Sequence, residues 1–297
     1  MRQPPEEFPG KIFLNDGGLR AGWRLLIYAV LAAGLWFTGG IVLVQFLPVP
    51  RYSPSGPFFV DRVFGFLVVF GAALVMARLE RRSADEYGLP QRGAFGKLFW
   101  QGWLLGLAEI SALIGMIYAL GGYSFGSIAL AGRELLRWGI LWTIFFVVVG
   151  LFEEFLFRGY TLFTLADGIG FWPAAILSSC LFGWVHRSNP GENWVGAASV
   201  VIIGLVFAFA LRRTGNLWFA VGWHASFDFG ETFLYSVPNS GMVFDGHLSN
   251  AALHGASWLT GGSVGPEGSV FSFVTMGISA LAIHFLFPAK NKKPALD

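Results

Sequence analysis

Charge is what this sequence has least of. Of its 297 residues only 13% are Asp, Glu, Lys or Arg, against about 25% in typical soluble domains. In their place 55% are hydrophobic and 17% aromatic, and the mean hydropathy is +0.60. Water is therefore excluded as the main solvent of the folded chain. The net charge of +2 is too small to suggest a nucleic-acid partner, and the Lys and Arg are scattered between apolar runs instead of being gathered on one face. A single cysteine, Cys180, rules out an intrachain disulfide and leaves the redox compartment unread. Inside its apolar run Cys180 is expected to be a small core residue. No cleavable signal-peptide pattern, internal repeat or low-complexity tract is visible.

What the chain does have is long apolar runs. A helix needs roughly 20 mostly apolar residues to cross the hydrocarbon core, and eight stretches meet or approach that length: 25–47, 58–77, 98–120, 136–165, 172–185, 194–211, 217–237 and 270–287. The expectation is an all-α, polytopic transmembrane bundle of about eight spans. The fifth is short and would have to extend towards Ser188. The chain divides into a polar N-terminal tail (1–24), three N-terminal spans with their loops (25–135), a core (136–237), and an outer loop, last span and C-terminal tail (238–297).

Basic residues favour the cytoplasmic side of membrane proteins. With the N-terminus inside, Arg2, Lys11, Arg20, Arg24, Arg78, Arg81, Arg82, Arg92, Lys97, Arg158, Arg212, Arg213, Lys290, Lys292 and Lys293 all fall on that side. Arg51, Arg62, Arg133, Arg137 and Arg187 fall at the outer side or at outer helix ends. Both termini are expected in the cytoplasm, and the loop 238–269, which has no Lys or Arg, is expected outside.

Ionisable groups at bilayer depth are expensive and mark function or a specific internal pair. Three spans carry them: Glu153, Glu154 and Arg158 in the fourth, His186 at the end of the fifth, and His224 and Asp228 in the seventh. Glu154 and Arg158 are four apart and share a helix face, the spacing of an internal ion pair. Glu153 lies about 100° away around the helix and can point elsewhere. His224 and Asp228 also share a face, with Glu231 following. At about 1.5 Å per residue, Glu153, His186 and Asp228 stand roughly 18, 21 and 20 Å from the cytoplasmic ends of their helices, in one layer. Two imidazoles, a free carboxylate and a further acid are the parts needed for general-base activation of water, with or without a metal. The bland readings are a packing salt bridge for Glu154 and Arg158, an interfacial His186, and interhelical hydrogen bonding by His224 and Asp228. Glu109, Glu231 and His284 read as packing or lining residues, His247 and His254 as solvated loop residues, and Gly102-xxx-Gly106 as a helix-packing device.

Glu153-Glu154-xxx-Arg158, then Phe182-xxx-His186, then His224-xxx-Asp228, in that order on three late spans, resembles the CPBP family of intramembrane proteases, which includes the Ras-converting CAAX prenyl proteases and lysostaphin-resistance-like proteins. The resemblance covers about 136–237. It implies that Glu153 and His186 activate the attacking water, that Arg158 positions the glutamates, and that His224 with the residue at 228 stabilises the oxyanion. The family often has Asn at that last position. Asp228 departs from it, and an ionised Asp is a poor donor, so it could instead orient His224, carry a proton or help hold a metal.

The family has been described both as glutamate-dependent and as metal-dependent. Glu153, His186, His224 and Asp228 would be the ligand candidates, with zinc the metal. HExxH, GxGD and GxSG motifs of other intramembrane proteases are absent. The expected partners are the lipid bilayer and a peptide or lipidated protein substrate, with a prenylated CAAX tail in a cell that prenylates. The membrane would be a bacterial cell membrane, or the endoplasmic reticulum in a eukaryote. Two other classes stay open at this stage: a non-catalytic scaffold or bacteriocin-immunity-type protein, and a proton-coupled transporter, which would need broken helices and repeat symmetry.

Overall fold

The computed structural model describes residues 14–15, 18–46 and 56–288. Arg2, Lys11, Arg51, Lys290, Lys292 and Lys293, most of the N-terminal tail and the C-terminal tail from residue 289 lie outside the described residues. Within them, every one of the eight apolar stretches coincides with helix: α1 Ala21–Phe46, α2 Pro57–Glu80, α3 Lys97–Ala119, α4 Gly132–Arg158, α5 Tyr160–Ile169, α6 Phe171–His186, α7 Trp194–Thr214, α8 Trp218–Phe229 and α9 Val270–Leu286. Five helical stretches are long and apolar enough to cross a membrane, α4 and α5 counting as one, while α6 and α9 are shorter apolar helices. The protein is all-α apart from two two-residue ladders, β1 Leu14–Asn15 with β2 Gly18–Leu19 and β3 Tyr123–Ser124 with β4 Ala252–Leu253.

Helix ends fall where local chemistry supplies partners for the free backbone groups. Asn193 Oδ1 accepts from the amides of Val195 and Gly196 to start α7, and Gly215, in the left-handed region at φ 69°, ends it. Ser269 starts α9 by accepting from the Phe271 amide.

The fourth span is not the continuous helix expected over 136–165. It breaks at Gly159 (φ −82°, ψ −126°), where any side chain would run into the Phe155 carbonyl. The break turns α5 so that the Tyr160 hydroxyl donates to Glu80. Arg24 donates to the same Glu80 at 2.5 Å and to Asp167 at 2.8 Å. Expected as a charge of the tail, Arg24 is buried and ties α1 to α2 and α5. The seventh span also departs from a uniform helix: after α8 the chain widens into a π-helical turn, Gly230–Leu234. Cys180 is exposed on α6, not in the core.

α8 is the centre of the bundle, buried from Trp218 to Ser226, with its largest contact against α3. Small residues let two helix backbones approach in a membrane protein, and here each has a defined neighbour. A Cβ on Gly102 would meet the Phe219 carbonyl, one on Gly106 the Trp223 carbonyl and Ser226 hydroxyl, and one on Gly222 the Phe99 carbonyl. α4 packs on the other side of α8, and α6 and α7 pack on each other. The loop 235–269 folds over this end of the bundle, held by the β3–β4 ladder and by the Leu248 amide donating to the Phe233 carbonyl at 3.1 Å.

This close crossing gives a stability prediction. Gly106→Leu forces α3 off α8 and lowers stability by about 1–3 kcal/mol or more, read as a fall in the thermal midpoint in detergent. Gly115→Leu on the same helix, where a Cβ meets nothing within 4 Å, leaves the midpoint unchanged.

Candidate active site

The polar layer forms where α4, α6 and α8 meet beneath the loop 235–269. Arg158 Nη1 donates to Glu154 Oε1 at 3.1 Å, with the two side chains 1% and 0% exposed, so the ion pair read from the four-residue spacing is present and fully buried. The same Glu154 oxygen accepts from His224 Nδ1 at 3.0 Å. The remaining guanidinium surface lies 4.2 Å from the Phe182 ring centroid, a cation–π contact. It fits because residue 204 is glycine, whose absent Cβ would sit 2.5 Å from Arg158 Nη2.

Glu153 points the other way, as its 100° offset requires. Its Oε2 lies 3.8 Å from His186 Nε2 and 3.8 Å from His224 Nε2. His186 Nδ1 donates to the Phe182 carbonyl at 2.8 Å, which fixes that ring's proton on Nδ1 and leaves Nε2 as an acceptor towards Glu153. The Phe182 ring packs edge-on to His186 at 4.5 Å between centroids, so one aromatic residue positions both the imidazole and the guanidinium. His224 is held from behind by Phe207, stacked at 5.5 Å. Asp228 Oδ2 is 3.5 Å from His224 Nε2. All six residues singled out in the sequence are thus brought together: Glu153, His186, His224 and Asp228 face one cavity, with Glu154 and Arg158 behind.

Separations of 3.8 Å are too long for hydrogen bonds and suit a single bridging oxygen. Glu153 Oε2 is buried and has no hydrogen-bond partner, and a buried orphan acceptor in a native site calls for a reason.

Two connected cavities open from this layer. One is lined by Glu153, His186, His224 and Asp228 together with Arg62, Asn239, Ser240 and several phenylalanines. The other shares His186, His224, Asp228 and Ser240 with it, adds Glu267, and has an apolar side formed by Phe182, Val200, Ile203, Phe207, Phe227 and Met276. Glu109 sits on its wall, accepting from Trp223 Nε1 at 2.8 Å and Ser279 Oγ at 3.0 Å, as the lining residue expected.

Arg62 was not anticipated in the site. It reaches in from α2 to place Nη1 3.9 Å from Glu153 Oε1, packed on the Phe58 ring. Glu153 therefore has a second cation nearby, although the pairing of Glu154 with Arg158 had seemed to leave it none. The Asp61–Arg62 pair at the edge of the second apolar run was the available signal. Asn239 and Glu267, from the loop 235–269, had no motif to flag them. Glu231 is fully buried beside Asp228 and Glu267. His247 is only half-exposed, its Nδ1 donating to the Thr232 carbonyl at 3.0 Å.

A zinc ion binds nitrogen and oxygen ligands at about 2.0–2.2 Å, so its ligand atoms must crowd together. Among the described residues, the trio whose ligand atoms all lie within 4.8 Å of one another is Asp228, Glu231 and Glu267. Glu153, His186, His224 and Asp228 are right in kind, with Glu153 Oε2 3.8 Å from each imidazole Nε2 and Asp228 Oδ2 3.5 Å from His224 Nε2, wider than the roughly 3.3 Å between neighbouring ligands of a tetrahedral zinc.

Residues 135–230 match the sequence model of the family described as Type II CAAX prenyl endopeptidase Rce1-like. That segment runs from the start of α4 to the end of α8 and contains all six residues. No curated protein and no solved structure matches the chain. The match supports an intramembrane endopeptidase in general, and with the apolar helices it points to an integral membrane protein.

Removing one partner of a buried ion pair strands the other. Arg158→Ala should cost about 3–5 kcal/mol, seen as loss of monodisperse protein or a large drop in thermal midpoint. The double variant Glu154→Gln/Arg158→Leu, which strands no charge, should recover much of that loss. Equal damage in both would show that the pair is not the source of the effect.

Proposed function

We propose that this chain is an intramembrane endopeptidase in which Glu153, assisted by His186, activates water to hydrolyse a peptide bond of a membrane-associated protein. The observation that carries this reading is Glu153 Oε2, buried, without a hydrogen-bond partner, and faced at 3.8 Å by the Nε2 atoms of two histidines. A water between Glu153 Oε2 and His186 Nε2 donates one proton towards each acceptor and turns its lone pair outwards.

Attack on the substrate carbonyl forms the carbon–oxygen bond as Glu153 takes the water proton. The carbonyl electron pair moves onto oxygen. In its doubly protonated form His224 donates from Nδ1 to Glu154 and from Nε2 towards that oxygen, which supports a role in oxyanion stabilisation. Breaking the carbon–nitrogen bond then sends the proton held by Glu153 to the leaving amine. Asp228, 3.5 Å from His224 Nε2, orients the imidazole. Glu154 and Arg158 hold His224 and stay out of the proton path.

The apolar side of the second cavity, from Phe182, Val200, Ile203, Phe207, Phe227 and Met276, suits a substrate with hydrophobic residues or a lipid chain near the cut, in keeping with a lipidated, CAAX-type protein. The broken α4–α5 helix, with the π-helical turn Gly230–Leu234 after α8, is what a carrier would share, and the sharper interruption is the α4–α5 break. It lies at Gly159, where Tyr160 is turned onto Glu80, away from the cavity, which favours the peptidase.

The test uses purified protein in liposomes with fluorogenic peptides, free and lipidated. Glu153→Gln and His186→Ala should each lower kcat by about 10²–10⁴-fold, and His224→Ala should also abolish measurable turnover, all three with the protein still folded. Chelators should leave wild-type turnover unchanged. A folded Glu153→Gln variant that cleaves at the wild-type rate would falsify the assignment, and turnover lost on chelation and restored by zinc would replace it with a metal-dependent one.

A further inference from the structure

The reaction needs donors aimed at the developing oxyanion, and the helical half of the site is short of them. Glu153, Glu154 and Asp228 are acceptors when ionised, and His186 has its N–H committed to the Phe182 carbonyl. Arg62 lies between two carboxylates, 3.9 Å from Glu153 and 3.9 Å from Asp61. Among the ionisable groups of α4, α6 and α8, His224 Nε2 is left as a donor, with the Arg62 guanidinium facing the same cavity from α2.

Asn239 is differently placed. It is 4% exposed, it lines the cavity with Glu153, His186, His224 and Asp228, and its side-chain amide is turned towards the Asp228 carboxylate while Nδ2 completes no hydrogen bond of ordinary length. An amide nitrogen carries two N–H donors, so one directed at Asp228 leaves the other for a group in the cavity.

Its backbone is fixed. The Asn239 amide donates to the Met242 carbonyl at 2.9 Å and the Met242 amide to the Asn239 carbonyl at 2.8 Å. Between them Ser240 (φ 45°) and Gly241 (φ 76°) are both left-handed, the pattern of a two-residue type I′ turn. From below, Asn189 Nδ2 donates to the Ser240 carbonyl at 2.8 Å and the Gly191 amide to the Gly241 carbonyl at 2.9 Å. The chain that carries His186 thus also holds the turn that carries Asn239. A donor held in this way needs no reorganisation when charge develops.

We propose that Asn239, in the loop 235–269 beyond the segment that matches the protease family, is a catalytic residue whose side-chain amide donates to the oxyanion alongside His224. The proposal rests on the peptidase reading above. When the carbonyl electron pair moves onto oxygen as water adds to carbon, that oxygen accepts from Asn239 Nδ2 and His224 Nε2. Both bonds are released when the electron pair returns and the carbon–nitrogen bond breaks. Asp228 needs no proton to donate, because the amide function sits eleven positions further along the chain.

The experiment measures kcat, KM and thermal midpoint for wild type, Asn239→Ala and Asn239→Asp in liposomes. It adds the affinity of a peptide aldehyde, whose hydrate mimics the tetrahedral intermediate. Loss of one oxyanion donor should lower kcat by about 10²–10³-fold in both variants. KM should stay within about threefold, and aldehyde affinity should fall in step with kcat. Asn239→Asp keeps the size and turn preference of the residue, so it separates donor loss from a disturbed turn. A folded variant with kcat within about threefold of wild type overturns the assignment and leaves the peptidase reading intact. So does a kcat loss matched by loss of folded protein in both variants. A wild type that cleaves no peptide while Glu153→Gln changes nothing overturns the peptidase reading, and this assignment with it.

Discussion

A carboxylate and a guanidinium without access to water must satisfy each other, and much of this bundle is organised around Glu154 and Arg158 doing so. The pair is one helical turn of α4, yet its consequences spread through three other helices. Glu154 Oε1 takes a second donor from His224 on α8, which fixes the rotation of that imidazole. Arg158 lies against Phe182 on α6, whose backbone carbonyl fixes the other imidazole. Gly204 on α7 leaves the space the guanidinium occupies. A buried pair of this kind adds little stability over an apolar replacement, so its value lies in orientation. Two histidines on different helices are aimed at one oxygen of Glu153 by hydrogen bonds that trace back to this turn and to the phenylalanine beneath it.

The same logic explains the close crossing of α3 and α8. A helix carrying Trp223, His224 and Asp228 in a low-dielectric interior must be held at a fixed depth and rotation. Glycines 102, 106 and 222 let the backbones meet without intervening side chains, and Trp223 Nε1 donates to Glu109 on α3 at 2.8 Å. α8 is therefore registered on one side by an indole–carboxylate bond and on the other by the imidazole–carboxylate bond to Glu154.

Much of this was legible from residue spacing. Each of the eight apolar stretches is largely helical among the described residues, because a long apolar run in a membrane leaves its backbone little alternative. The i, i+4 spacing of Glu154 and Arg158, the angular offset of Glu153 and the shared depth of three polar groups were enough to assemble the site. What was missed belongs to interactions with no local pattern. The break at Gly159 depends on Tyr160 reaching Glu80, eighty residues away. Arg24 reads from sequence as a charge of the polar tail, and the structure buries it between Glu80 and Asp167. Arg62 enters from a helix that a charge count placed at an outer end. Cys180 follows apolar neighbours in sequence but faces outwards, because periodicity alone does not say which face of an all-round apolar helix is covered. Asn239 sits in a loop that the sequence marks only by its lack of Lys and Arg, and its turn and the ties to 189–191 leave no local pattern.

The division between legible and hidden parts follows the division of labour in the site. On the proposed reading, α4, α6 and α8 hold the groups that generate a nucleophile, and these need fixed spacing within and between helices, which leaves a trace in sequence. The groups proposed to meet the substrate come from α2 and the loop 235–269, where position is set by turns and long-range contacts. Asp228, Glu231 and Glu267, crowded within 4.8 Å of one another, join the two sets, since Asp228 is on α8 and Glu267 in the loop. Ser240 Oγ donates to Glu267 at 2.8 Å, and Ser240 is the residue after Asn239. The acidic trio is thereby joined through one hydroxyl to the turn that presents the amide.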